Sequence, residues 1–121
     1  MTALQAQNDL LANRKPYSFF ERKRTVAVIN ARAGSVEGES PKAFADGLIE
    51  LLRGFGADAR VRMSEPWNLS ATLRNAVSSG ADIVMVGGGD GTINAAAQHL
   101  HGTSTVLAVL PMGTLNHFSQ V

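Results

Sequence analysis

Three short aliphatic runs, TVAVIN (25–30), IVMV (83–86) and TVLAVL (105–110), do not alternate with polar residues. A strand that is apolar at successive positions needs cover on both faces, the habit of parallel sheets sandwiched between helices. The segments between them have helical spacing. Ser40 offers an N-cap and Pro41 a first helical residue, after which Phe44, Leu48, Leu51 and Leu52 form one stripe ended by Gly54 and Gly56. Leu69, Leu73, Ala76 and Val77 make a second stripe closed by Gly80; Ile93, Ala96, Ala97 and Leu100 make a third closed by Gly102. Ala59, Val61 and Met63 alternate with Arg60 and Arg62, the pattern of a half-exposed strand at a sheet edge. The order β-α-β-α-β-α-β predicts an α/β fold: a three-layer, Rossmann-like parallel sheet with right-handed crossovers.

A chain of 121 residues with 45% apolar and 17% charged residues can bury the core of one domain. Its net charge of +1 argues against nucleic acid as a partner. Cysteine is absent, which removes disulfides and thiolate metal sites. No apolar run approaches the roughly 18 residues of a membrane span, and no secretory leader is visible. The expected location is cytoplasmic. Residues 1–24 differ from the rest, with five cations against two acids and a break at Pro16. They read as an N-terminal extension, disordered or forming a short helix around Leu4, Leu10 and Leu11, with the domain at 25–121. Alternatively Tyr17, Phe19 and Phe20 beside ERKR form a membrane-interface anchor.

In such sheets ligands sit beyond the carboxyl ends of the strands, near the switch in strand order. Three loops meet that description: NARAG (30–34), GGGDGT (87–92) and PMGT (111–114). Each glycine removes a Cβ that would hold a ligand off the backbone. GGGDGT also opens a helix, where unpaired N–H groups and the helix dipole attract an anion. Gly87–Thr92 therefore reads as a phosphate cradle, with the Thr92 hydroxyl as a further donor. GxGxxG fails because position 92 is Thr, and GxxxxGK[ST] occurs nowhere. The plainer alternative is that the glycines only permit a tight turn. A carboxylate should repel a phosphate, so Asp90 needs its own reason. It faces a bridging Mg²⁺, or holds a phosphoryl-accepting hydroxyl, or caps the helix.

VGGGDGTIN (86–94), followed by PMGTLNHF (111–118) and preceded by NxxxG at Asn30–Gly34, strongly resembles the diacylglycerol kinase catalytic-domain family, which includes sphingosine kinases and YegS-like bacterial lipid kinases. The resemblance covers roughly 25–121. It implies ATP-dependent phosphorylation of a lipid hydroxyl with Mg²⁺. By position, Gly88, Gly89, Asp90, Gly91, Thr92, Ile93 and Asn94 would hold the nucleotide phosphates, with Asp90 near the metal, directly or through water. Gly113 and Thr114 would approach the nucleotide from the fourth strand, with Asn116 bracing them; Ser64 would contact it after the second strand, and Asn30 and Gly34 match the first-strand motif NPxSG. Ala31 and Ala33 replace that motif's Pro and Ser, and His117 stands where many members have Asp.

The same resemblance implies a second, mostly β domain, absent from this chain, that carries the lipid pocket, further carboxylates and the general base. This chain is then the nucleotide-binding half, inactive alone. Transient contact with a membrane surface and homodimerisation are further expectations. Glu65 is the one other acid expected near the cleft. An NAD kinase shares GGDGT but normally lacks PMGTLNHF, and a non-catalytic nucleotide-binding module would use the same glycines. His99 and His101, at i and i+2, point to different helix faces and make a poor metal pair. Trp67 is expected to pack beside the second helix rather than stack on a base, and Met63, Met85 and Met112 to fill core or loop. Arg60 and Arg62 are expected to be solvated edge-strand charges, with steering of nucleotide or lipid headgroups as the alternative.

Overall fold

A computed structural model describes residues 19–32, 40–110 and 112. Strands β1 (Arg24–Asn30), β2 (Asp58–Ser64), β3 (Ile83–Gly87) and β4 (Val106–Leu110) alternate with helices α1 (Pro41–Gly54), α2 (Leu69–Ser78) and α3 (Asp90–Leu100). A 3₁₀ turn at Pro66–Asn68 leads into α2. All four strands are parallel, in the order β2-β1-β3-β4. From β1 the chain builds outward to β2, then returns to place β3 on the other side. The switch in strand order lies between β1 and β3.

Local chemistry sets the helix limits. Ser40 is extended, and its Oγ accepts the Ala43 N–H at 3.0 Å, a cap that contributes about 1 kcal/mol. Gly56, Gly80 and Gly102, which follow the three helices, have φ of +88°, +85° and +77°, a region L side chains rarely adopt.

The core has two halves, one on each face of the sheet. Val26 and Val28 of β1 and Val84 and Val86 of β3 pack with Leu73, Ala76, Ala96 and Leu100 of α2 and α3. Their strand neighbours Ala27, Ile29 and Met85 face the other way and pack with Leu48 and Leu52 of α1, Ala59 and Met112. Unbroken apolar runs in β1 and β3 thus reflect cover on both faces. β2 is an edge strand with its small and apolar side chains under α1, as its alternation predicts.

Several expectations are corrected. β4 is an edge strand, with Val106 and Val109 44% and 48% exposed, although its run is as apolar as that of β3. Leu51 is 54% exposed because the line Phe44–Leu48–Leu52 alone faces the sheet. On α3 the buried residues are Thr92, Ala96 and Leu100, while Ala97 is exposed. Trp67 is 82% exposed and does not pack beside α2.

The folded region also starts earlier than Thr25. Phe20 stacks on Phe55 with ring centroids 6.3 Å apart and packs against the α1-side core. The Arg22 N–H donates to Gly56 O at 2.9 Å. Phe20 is therefore part of the body rather than a free membrane anchor. Phe19, half exposed, meets its ring edge-on at 5.2 Å. Tyr17 lies outside the described residues.

Candidate functional site

Pairing of Ile29 with Gly87 brings the carboxyl ends of β1 and β3 side by side, so Asn30 and the glycine loop meet at the switch point. None of Gly87, Gly88, Gly89 and Gly91 has a left-handed φ, so the turn itself does not demand glycine. Their reasons differ. A Cβ on Gly87 would lie 2.9 Å from Ile29 Cδ1 and from Met112 Sδ, and one on Gly88 would lie 2.8 Å from Thr92 Oγ1. These two are kept bare by the protein's own packing. At Gly89 and Gly91 an added Cβ would meet nothing within 4 Å among the described residues. Both are exposed. No contact within the described structure explains their bareness, whereas close approach from outside would.

Gly89 is the N-cap of α3, with φ −84° and ψ −173° and no side chain to cap the helix. The helical ladder begins with the Ile93 N–H donating to Gly89 O at 3.1 Å. The amides of Asp90, Gly91 and Thr92 precede that first bond and have no capping partner among the described residues. Asp90 is the first helical residue, exposed, with no side-chain hydrogen bond or ion pair among the described residues. It is therefore not the helix cap. Next to the positive helix end its charge is favourable by about 0.3–1 kcal/mol, whatever else it does.

Behind the loop lies a braced floor. Thr92 is buried under Gly88, and its Oγ1 accepts from Asn30 Nδ2 at a long 3.4 Å. Asn30 Oδ1 in turn accepts the Arg32 N–H at 3.0 Å. Ser64 is 1% exposed, and its Oγ lies 3.1 Å from both Glu65 O and Asn68 Oδ1, either of which can accept its hydroxyl proton. The Ala31 N–H donates to Ser64 O at 2.8 Å, a bond that a proline at position 31 could not make. The departure from NPxSG at this position thus replaces ring rigidity with a hydrogen bond to β2.

Asn30, Ser64, Gly91 and Thr92, with Glu65 and Leu69, line a cleft of about 220 Å³ at this end of the sheet. Ile93 is half-buried on α3 and Asn94 is exposed there. Glu65 does reach the cleft, but its carboxylate takes Arg32 Nε at 3.2 Å. Arg32 is the residue that motif reading passed over; its only signal was a cation inside NARAG. Gly34, Gly113, Thr114, Asn116, Ala33 and His117 lie outside the described residues. Among the described residues no group of three or more His, Cys, Asp or Glu side chains could hold a metal. A larger cavity, about 530 Å³, lies between β2 and α2, toward the amino ends of β1 and β2. The smaller cleft is the candidate site, because ligands of open parallel sheets bind beyond the carboxyl ends of strands.

Fold and loop together define a doubly wound α/β domain with a strand–loop–helix junction of the kind suited to phosphate groups. The sequence profile of the diacylglycerol kinase catalytic domain matches residues 24–121, and the chain belongs to that family. It is 38% identical over 76 residues to a "Probable lipid kinase YegS-like" of Klebsiella pneumoniae (strain 342), a stretch covering 59% of this chain and 25% of that protein. It is 36% identical over 94 residues to a "Diacylglycerol kinase" of Mycobacterium tuberculosis (strain ATCC 25618 / H37Rv), covering 77% of this chain and 29% of the relative. The chain thus spans little more than a quarter of the length of these curated relatives. No helix among the described residues is long and apolar enough to cross a membrane.

Proposed function

We propose that this chain is the nucleotide-binding part of an ATP-dependent lipid kinase. The observation that carries the proposal is the outer half of the glycine loop. Among the described residues, Gly89 and Gly91 are bare with no internal reason, and three first-turn amides beside them have no capping partner. A triphosphate is the ligand that this arrangement suits. Its oxygens need close backbone approach, several N–H donors and a positive helix end.

Mg²⁺ suits the residues present if it is held together with the nucleotide. The ion commonly takes one or two carboxylates and completes its shell with phosphate oxygens and water. Asp90, exposed and without a partner among the described residues, supplies one such carboxylate; Glu65, paired with Arg32, is the less available acid. When bound, the ion neutralises charge on the phosphates. The chain's own residues bind and orient: Gly89, Gly91 and Thr92 through backbone amides, with Ile93 and Asn94 following on the same turn. Asn30 and Ser64 hold the floor, while Gly34, Gly113, Thr114 and Asn116 belong to the same nucleotide site by motif.

In the complete reaction a lipid hydroxyl oxygen attacks the γ-phosphorus, the bond to the ADP oxygen breaks, and the hydroxyl proton passes to a base. We assign that base and the lipid pocket to residues outside this chain. In turnover the whole protein, a cytoplasmic homodimer, makes transient contact with a membrane surface that presents the lipid. This chain alone should bind nucleotide without forming phosphorylated lipid.

The test is nucleotide titration of this chain with and without Mg²⁺, repeated for Gly89→Ala and Asp90→Asn. Gly89→Ala should weaken binding on the order of 100-fold, and Asp90→Asn should remove mainly the Mg²⁺ dependence. Unchanged affinity in both variants would put the phosphates elsewhere. Steady phosphatidic acid formation from ATP, Mg²⁺ and diacylglycerol would refute the assignment of the base to residues outside the chain.

A further inference from the structure

We propose that the groove between β2 and α2 is a second anion site, built for a small phosphoryl-bearing molecule and separate from the nucleotide cleft. Asp58, Arg60 and Arg62 lie on one face of β2, in register with Arg24, Val26 and Val28 of β1. Three of the groove's lining residues are thus arginines, against one aspartate. Thr72, Asn75 and Ser79 of α2 form the facing wall, and buried Val26, Ala76 and Ala81 form the floor. The groove's space of about 530 Å³ is within the usual range for small-molecule sites.

Charges that merely keep an edge strand soluble stand over open water. Here they rim a concavity with an apolar floor. Among the described residues, none of the three arginines is in an ion pair, and Arg62 has only the carbonyl of its neighbour Val61, at 3.4 Å. Thr72 and Ser79 direct their hydroxyl protons to the carbonyls of Asn68 and Ala76, so the guanidinium forks are the main free donors of the groove. Arg60 and Arg62 are two residues apart on one strand face, about 7 Å along the chain. Two forks at that separation suit an anion with oxygens several ångströms apart, as in a linked pair of phosphoryl groups. The concave shape favours a small molecule over a flat bilayer.

The experiment follows backbone amide chemical shifts of the isotope-labelled 121-residue chain during titration with inorganic pyrophosphate. Saturable shifts are expected at Asp58–Arg62 and Ser79–Ala81. Arg60→Ala/Arg62→Ala should weaken binding there at least tenfold while leaving the response of Gly88–Thr92 unchanged. Arg60→Lys/Arg62→Lys, which keeps the charge, should retain part of the affinity, and its dispersed spectrum checks that the edge strand tolerates change. Absent or non-saturable shifts in the groove, or equal affinity in the alanine variant, would overturn the site. Equal response to citrate would overturn the phosphoryl assignment. A groove response to phosphatidic acid vesicles but not to pyrophosphate would overturn the small-molecule assignment.

Discussion

Gly87 and Gly88 form the inner half of the loop, and Gly89 and Gly91 the outer half. A methyl group added to the inner pair would strike Ile29, Met112 or Thr92, whereas one added to the outer pair would meet nothing among the described residues. The contrast separates two reasons for glycine that a sequence writes with the same letter. Inside, glycine lets the end of β3 close against its own support. Outside, no contact among the described residues calls for glycine, whereas the proposed nucleotide would.

The strongest way to break this comparison is at the outer pair. Gly89→Ala and Gly91→Ala should each weaken ATP binding on the order of 100-fold, about 2.7 kcal/mol, measured by calorimetric titration. Stability should respond differently at the two positions. Alanine is a poorer N-cap than glycine, costing up to about 1 kcal/mol at position 89. It should raise stability at position 91, inside α3, by about 0.5–1 kcal/mol. A Gly91→Ala protein that melts higher yet binds nucleotide far more weakly would be the cleanest signature of an outward-facing role.

Gly88→Ala tests the inner pair. It forces an atom into the buried Thr92 side chain and should cost about 2 kcal/mol, read as a lower urea midpoint. Unchanged stability there would erase the distinction between the halves. Ala31→Pro probes the brace beneath, removing the 2.8 Å bond to Ser64 O, with an expected loss of about 1 kcal/mol in the same assay. The smallest change is Asp90→Asn. Loss of a favourable charge at the α3 N-terminus should cost about 0.5 kcal/mol of stability without ligand, while the Mg²⁺ enhancement of nucleotide affinity disappears.

Much of the fold was legible because its signals are local. Ser40 and Pro41 mark the start of α1, and the glycines after each helix carry the left-handed φ that stops it. Apolar runs identified the strands but not their neighbours. β3 and β4 have equally apolar runs, yet only β3 has strands on both sides, and this is a property of sheet order. Helical stripes were read too wide for the same reason, since Leu51 and Ala97 lie off the lines that meet the sheet. At the candidate site, motif spacing singles out Asn30 and the glycine loop, and the family resemblance adds Ser64; all three line one cleft or its rim. The burial of Thr92 beneath Gly88 and the Arg32–Glu65 pair depend on distant segments meeting, which no window of sequence displays.

The β4 margin has a practical consequence. Val106 and Val109 stand half bare on a strand, VLAVL, that carries no charge, proline or bulge to deter pairing. Among the described residues nothing hydrogen-bonds its outer rim, which makes it a template for another molecule's backbone. Handled as a purified sample, the chain should self-associate as concentration rises, and a lysine at Val109 should restrain that tendency without reaching the glycine loop.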